Sequence, residues 1–369
     1  MNSFEFRIYP TKAQEKLLSE QFSICAELYN ILLQQRKTEY EQNRKSISLF
    51  QQHKFITQLK EQDLKYDSVH SQVLQNLAVR LDLAFKAFFR RVKAGENPGF
   101  PRFKSKERYN SITFPQVPSG CQIKGNHLIL SKIGKVKIKQ HRQLEGKPKT
   151  CTIKKSSTGK WYAGFSCEIE KSSIKSLKTK EIGIDVGLES FAHFSNNEKI
   201  ENPRFFRQEE KSLAKVQRKL SKQAKGSKER KKAKKIVARI HERIKFKRKN
   251  FAHQESRKIV DKYSHIFIED LNINKMQHDN FRCMNKSISD AAWNMFFNFL
   301  SYKAEDAGKI LIKVNPAYTS QTCSNCNHRN KLKLSDRVFQ CECCNFQASR
   351  DLNAALNIKT LGTQSLAKA

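Results

Sequence analysis

Apolar and polar positions alternate through Phe4-Glu5-Phe6-Arg7-Ile8, which predicts a strand that Pro10 ends. The period then lengthens. Leu17, Leu18, Phe22, Cys25, Leu28, Tyr29 and Leu32 recur at steps of three and four, one face of a helix. A second such stretch runs from about Ser71 to Val92, with Val73, Leu77, Leu81, Leu83, Ala84, Phe88 and Phe89 on its apolar side. The segment GENPGFPRFK, residues 95–104, carries two prolines and two glycines and breaks the helix. Between 111 and 170 the texture is short alternating runs: SITF, HLILS, KVKIK, TCTIKKS and KWYAGFSCEI. Such runs with turns between them suggest a small barrel or sandwich. The N-terminal strand could join it, with the helices inserted between.

The second half opens with a Lys- and Ser-rich linker, KSSIKSLKTK. EIGIDVGLESFAHFS then reads as strand, tight turn and strand. Leu213, Val216 and Leu220 fit one helix, and Ala233, Ile236, Val237, Ile240 and Ile244 another, with Gly226 and Ser227 at the turn. SHIFIEDLNI is a buried strand ending in carboxylates. SDAAWNMFFNFLSYKAEDAG predicts one helix, with Ser289 as its N-cap and Gly308 as its stop. KILIKV predicts a further strand and RDLNAALNI a last helix. The tail after Leu361 carries no structural signal. From 181 onward the order of elements describes an α/β domain.

Charge changes the picture. The 369 residues, enough for two or three domains, include 71 Lys and Arg against 35 Asp and Glu, a net charge of +36. Residues 205–250 alone hold 19 cations and 4 anions, a net of +15. Such a chain needs a polyanion, and nucleic acid is the obvious one. No run of about 18 apolar residues exists to cross a membrane. The N-terminus has no secretory pattern, so a cytoplasmic, DNA-associated location is expected.

Ten cysteines are present, five of them between Cys323 and Cys344. Cys323 and Cys326 form one CxxC pair and Cys341 and Cys344 another, fourteen residues apart. Four thiolates at this spacing predict one closed, structural Zn2+ site. Asn327 and Asn345 follow the two pairs, where a knuckle needs left-handed backbone and Asn is the best choice after Gly. Cys343 is a bystander.

Three carboxylates stand apart. Asp185 ends the apolar run Ile182–Ile184, Glu269 ends Ile266-Phe267-Ile268, and Asp351 opens a helix. Each alone has a bland reading as a turn residue, strand-end charge or dipole-favoured acid. Together, in an α/β domain, they can converge at one sheet edge. They would then repel unless hard cations neutralised them, and a pair of Mg2+ suits phosphodiester hydrolysis. Asp270 points the other way along its strand.

GIDVGLESFA, IFIEDLNI and SRDLNAALNI resemble the three split motifs of a RuvC-type nuclease domain, with a zinc ribbon just before the third. That order, with FRIYPT at 6–11, residues 71–104, NFAHQESRKIVDKY at 250–263 and YTSQTCSNC at 318–326, is similar to the TnpB proteins of insertion sequences, relatives of type V CRISPR effectors. The resemblance spans nearly the whole chain and weakens at 111–180. Asn after each CxxC departs from the family's usual Gly.

The resemblance implies a multidomain α/β protein. Residues 1–10 and 105–180 would form a wedge-like β-barrel, 11–104 a helical recognition lobe, and 181–369 an RNase H-like (RuvC) nuclease domain. A basic helical insertion at 205–262 and the zinc ribbon at 319–347 would interrupt the last. The resemblance further implies an RNA-guided DNA endonuclease, acting as a monomer in complex with a guide RNA from the transposon end and cutting double-stranded target DNA. Asp185, Glu269 and Asp351 match the family's catalytic, Mg2+-binding triad, and Cys323, Cys326, Cys341 and Cys344 its zinc ligands. Arg102 and Lys104, beside Phe100 and Phe103, and Lys231, Lys232, Lys234 and Lys235 are candidate nucleic-acid contacts. An RNA-guided DNA-binding regulator and an unguided RuvC-type nuclease or transposase accessory protein are the alternatives.

Overall fold

The computed structural model describes residues 2–169, 180–278, 281–333 and 336–367; of the linker 171–180, only Lys180 falls within them. The chain divides into two compact units, Met1–Glu170 and Lys171–Ala369.

The first unit begins with β1 (Asn2–Tyr9), α1 (Lys12–Asn43), α2 (Leu49–Gln62) and α3 (Ser71–Lys93). Thr11 and Ser48 start α1 and α2 with reciprocal capping boxes to Gln14 and Gln51. Six short strands follow: β2 (Ser111–Phe114), β3 (Cys121–Lys124), β4 (His127–Leu130), β5 (Gly134–Lys139), β6 (Lys147–Lys155) and β7 (Trp161–Glu168). Together with β1 they make one sheet in the order β2-β6-β7-β1-β5-β4-β3. Its edges β2 and β3 do not pair with each other, so the sheet is not a closed barrel. It curls nonetheless, since the buried Cys121 on β3 comes near enough to the buried Cys151 on β6 to raise its thiol pKa. The helices are not a separate domain from this sheet. Leu18, Phe22, Leu28, Leu77 and Leu81 share one core with Phe6, Ile112, Trp161 and Phe165. Arg80 on α3 adds polar links, donating to Ser111 O at 2.9 Å and Thr113 Oγ1 at 2.5 Å.

The second unit is built on β8 (Glu181–Asp185), β9 (Ser190–Phe194), β10 (Lys199–Glu201), β11 (His265–Glu269) and β12 (Ile310–Val314), ordered β10-β9-β8-β11-β12. β8, β11 and β12 run parallel; β9 and β10 are antiparallel to their neighbours. Between β10 and β11 lie α4 (Phe205–Ser221) and α5 (Lys228–Lys262), an αα-hairpin sealed by Leu213, Ile240 and Ile244. Ile236, expected on that seam, is 43% exposed.

Next come α6 (Ile273–His278), α7 (Arg282–Ala291) and α8 (Trp293–Asp306). The single helix expected from Ser289 to Gly308 is thus two. Ser289 lies inside α7 rather than at an N-cap, and the chain turns at Ala292, whose φ is 56°. The turn lets α7 aim Asp290 at Arg248 and the Phe206 amide, while α8 lays Phe296 and Leu300 into the core. Gly308, with φ 64°, does stop α8. The ribbon strands β13 (Val338–Gln340) and β14 (Gln347–Ser349) precede α9 (Arg350–Ala367). That last helix runs past Leu361, where no structure was expected, because Gly362 buries its backbone against the Phe267 ring.

Candidate active site and zinc ribbon

Asp185 and Glu269 occupy equivalent places. Each follows the partner pair Ile184 and Ile268 at the C-terminal ends of neighbouring parallel strands. That edge is where open α/β sheets bind ligands, beyond the carboxyl ends of their strands. Asp351 lies in the first turn of α9. Gly183 brings this helix in. With no side chain there, the α9 backbone at Ala355 and Lys359 lies directly on β8.

The three acids meet electrostatically. Burial first, then the charges of Glu269 and Asp351, push the Asp185 carboxyl well above its ordinary pKa, with Arg350 pulling it down. Burial also raises Glu269, which is 8% exposed, while the hydroxyl of Thr319 donates to its Oε1 at 2.5 Å and lowers it. Asp270 turns away, to an exposed ion pair with Lys313 at 3.3 Å. Three carboxylates that offer only oxygen donors are the residue chemistry a hard divalent cation takes.

The four cysteines converge more tightly. Their sulfurs lie within 4.8 Å of one another, and among the described residues they are the one such group of potential metal ligands. Cys323 and Cys344 stand 3.6 Å apart, Cys326 and Cys341 3.5 Å. Tetrahedral zinc with Zn–S of about 2.3 Å sets sulfurs roughly 3.8 Å apart, so the residues fit the metal. The two knuckles repeat one geometry. The amides of Asn327 and Asn345 donate back to Cys323 O and Cys341 O at 3.0 and 3.1 Å, and both asparagines are left-handed, with φ of 62° and 58°. Cys343 is exposed and outside the group.

Sequence reasoning did not single out the polar side chains that seat the ribbon. Asn353 and Asn357, one turn apart on α9 and both buried, donate to Thr322 O at 2.7 and 2.6 Å. Asn357 also donates to Thr319 O at 2.8 Å, and Asn353 accepts from the Ser324 amide at 3.0 Å. The i, i+4 spacing of two asparagines on one helix face was the available signal.

The candidate nucleic-acid contacts are solvent-facing. Lys231, Lys232, Lys234 and Lys235 are exposed on α5, and none pairs with a carboxylate among the described residues. Arg102 and Lys104 are exposed in the first unit, where Asn30 holds the Lys104 backbone at 2.7 and 2.9 Å. The neighbouring rings are not core. Phe89, Phe100 and Phe103 are 60%, 44% and 50% exposed, and Phe100 stands edge-on to Phe85 and Phe88. In the second unit, Arg204, Arg207 and Arg337 line a cleft of about 640 Å³ beside the turn after β8.

Comparison with known proteins places these features. Residues 164–279 match a family profile, OrfB_IS605, described as "Probable transposase". Residues 293–358 match one described as "Cas12f1-like, TNB domain". Residues 1–45 match a helix-turn-helix description, although here they make one strand and one unbroken helix. A "Putative RNA-guided DNA endonuclease" of Streptomyces pristinaespiralis is 32% identical over 98% of this chain and 89% of its own length. One of Escherichia coli K12, with the same description and the name InsQ, is 30% identical over 100% and 94%. A solved Cas12f1–sgRNA–target DNA complex aligns at 20% identity over 97% of this chain and 98% of that one, with a TM-score of 0.37.

Proposed function

Because the chain belongs to the TnpB (OrfB) family of insertion-sequence proteins, we propose that it is an RNA-guided DNA endonuclease. It binds a guide RNA transcribed from the transposon end, recognises a short motif beside the target, and cuts the DNA that pairs with the guide. One observation carries the nuclease assignment. In a sheet ordered β10-β9-β8-β11-β12, Asp185 and Glu269 end adjacent parallel strands, and α9 brings Asp351 close enough to raise the Asp185 pKa. Strand-end acids on adjacent parallel strands of such a sheet support the RNase H-like (RuvC) reading.

Asp185, Glu269 and Asp351 would hold Mg2+. When bound, two such ions supply an activated water and stabilise the leaving 3′ oxygen. The protein's own groups do the rest. Strand ends and a helix start fix the backbone positions of the three carboxylates, and the arginines of the cleft beside the turn after β8 would meet the phosphates of a strand lying across it. Three carboxylates and the ions they would hold act on phosphate, so specificity would come from the guide. Exposed lysines on α5 hold the RNA or the heteroduplex by its backbone. The zinc ribbon is structural, since four thiolates leave no open position.

The test is cleavage by complexes carrying Asp185→Ala, Glu269→Ala or Asp351→Ala. Each should bind guide and target and fail to cut with Mg2+. Cutting by any of them at the wild-type rate removes that residue from the centre.

A further inference from the structure

Thr319 lies in the turn between β12 and the first zinc knuckle. It is 5% exposed, and its hydroxyl reaches Glu269 Oε1 at 2.5 Å. The distance is that of a hydroxyl donating to a charged carboxylate. A hydroxyl has one proton to give. Pro316 O, at 3.3 Å, is the weaker acceptor, so the proton goes to Glu269. Among the described residues the Glu269 carboxylate accepts no other hydrogen bond. One oxygen of the carboxylate is therefore pinned and the other left free.

The turn that presents this hydroxyl is held from two sides. Tyr318, just before it, is left-handed at φ 65°, a costly conformation for a bulky residue. The amides of Gln321 and Thr322 close the turn on Tyr318 O at 2.9 and 3.0 Å. On the other side, Asn357 of α9 holds Thr319 O and Thr322 O. Asn353 holds Thr322 O and the Ser324 amide, one residue past the zinc ligand Cys323. Direct hydrogen bonds thus join ribbon, α9 and strand-end glutamate, and Thr319 is where they meet.

We propose that Thr319 is a positioning residue that couples the zinc ribbon to the active centre. The zinc-held ribbon and α9 fix the turn, and the Thr319 hydroxyl fixes which oxygen of Glu269 is offered to Mg2+. The structural metal then sets the geometry of the catalytic one. This rests on the nuclease reading above. Outer partners of this kind typically cost about 10–100-fold in metal affinity or activity when removed.

The experiment compares Thr319→Val, which keeps the shape and loses the hydroxyl, with Thr319→Ser, which keeps the hydroxyl. Both are assembled with guide RNA as the full chain. Zinc content, melting temperature and target affinity are measured first. Single-turnover cleavage is then followed across Mg2+ concentrations. Mn2+ bound per complex is counted by electron paramagnetic resonance, with the Asp185→Ala complex as the blank for ions on the RNA. Thr319→Val should keep its zinc and its target affinity, raise the Mg2+ half-saturation about 10-fold or more, and lose Mn2+ occupancy. Thr319→Ser should restore both. If Thr319→Val cuts with wild-type Mg2+ dependence, or loses zinc and melting temperature in step with activity, the positioning role is wrong. If the wild-type complex itself does not cut with Mg2+, the nuclease reading fails first, and the two failures are distinct.

Discussion

Gly183→Ala is a severe test of how α9 delivers Asp351, because the change adds one methyl and alters none of the three acids. Gly183 has no left-handed backbone, so alanine brings no conformational penalty. The cost is steric. The new Cβ would meet the Ala355 carbonyl oxygen, lie 2.7 Å from the Lys359 amide nitrogen and 2.9 Å from Lys359 Cβ. Two of these are backbone atoms of one helical turn and cannot rotate away. Ordinary contact begins at 3.4 Å, so the Lys359 nitrogen must retreat by about 0.7 Å and the closer Ala355 oxygen by more. Overpacking of this kind costs about 1–3 kcal/mol. For a unit of this size that lowers the melting temperature by about 2–4 °C per kcal/mol. The catalytic cost is larger, since a misplacement near 1 Å costs about 100-fold in rate. The assay pairs calorimetry with single-turnover cleavage by the assembled RNA complex, with target affinity measured alongside. Gly164→Ala in β7 is the control, because its nearest neighbour would be Thr152 O at 3.9 Å. Wild-type cutting and melting by the Gly183→Ala complex would refute the claim that α9 lies on β8 at this glycine and carries Asp351 with it.

Asp185→Asn should abolish cutting yet stabilise the metal-free protein as pH rises. The raised Asp185 pKa means the fold binds a proton that the unfolded chain has released, so stability falls from the ordinary value of 3.8 upward, and the amide removes that slope; pH-dependent melting in a chelator reads it. Cys326→Ser or Cys341→Ser should lower bound zinc from about one per chain along with stability, and Cys343→Ser should change neither, by metal analysis of purified protein. Replacing Lys231, Lys232, Lys234 and Lys235 with glutamine should weaken RNA binding to a similar degree for every guide and flatten its salt dependence, by about 0.7–0.9 in log–log slope for each phosphate no longer neutralised; an unchanged slope returns α5 to a merely solvated face.

Much of this site could be read from the chain, and the parts that could not have a physical reason. Asp185 and Glu269 were legible because an apolar run that stops at an acid marks a strand end, and their neighbouring strands put two such ends together. The knuckles were legible because CxxC spacing and a following Asn are local requirements, met by Asn327 and Asn345. The break at Ala292 was not, since neither Gly nor Pro marks it and its cause is tertiary, the pull of Asp290 towards Arg248. The length of α9 was hidden for the same kind of reason. Gly362 reads as a helix stop, but here it is a close contact with Phe267. Thr319 lies in a loop and looks ordinary until the fold brings it to Glu269, 50 residues away in sequence.

The central claim is that this chain cuts DNA where an RNA directs it. The most direct measurement assembles the protein with its transposon-end RNA and presents duplex targets that share one adjacent motif. Only the guide portion of the RNA is rewritten between trials. The account predicts Mg2+-dependent cutting that moves with the guide, fails most sharply for mismatches next to the motif, and disappears in Asp185→Ala while target binding remains. Site-specific duplex cutting by nuclease-treated, RNA-free protein, or cutting whose position ignores the guide, would contradict it.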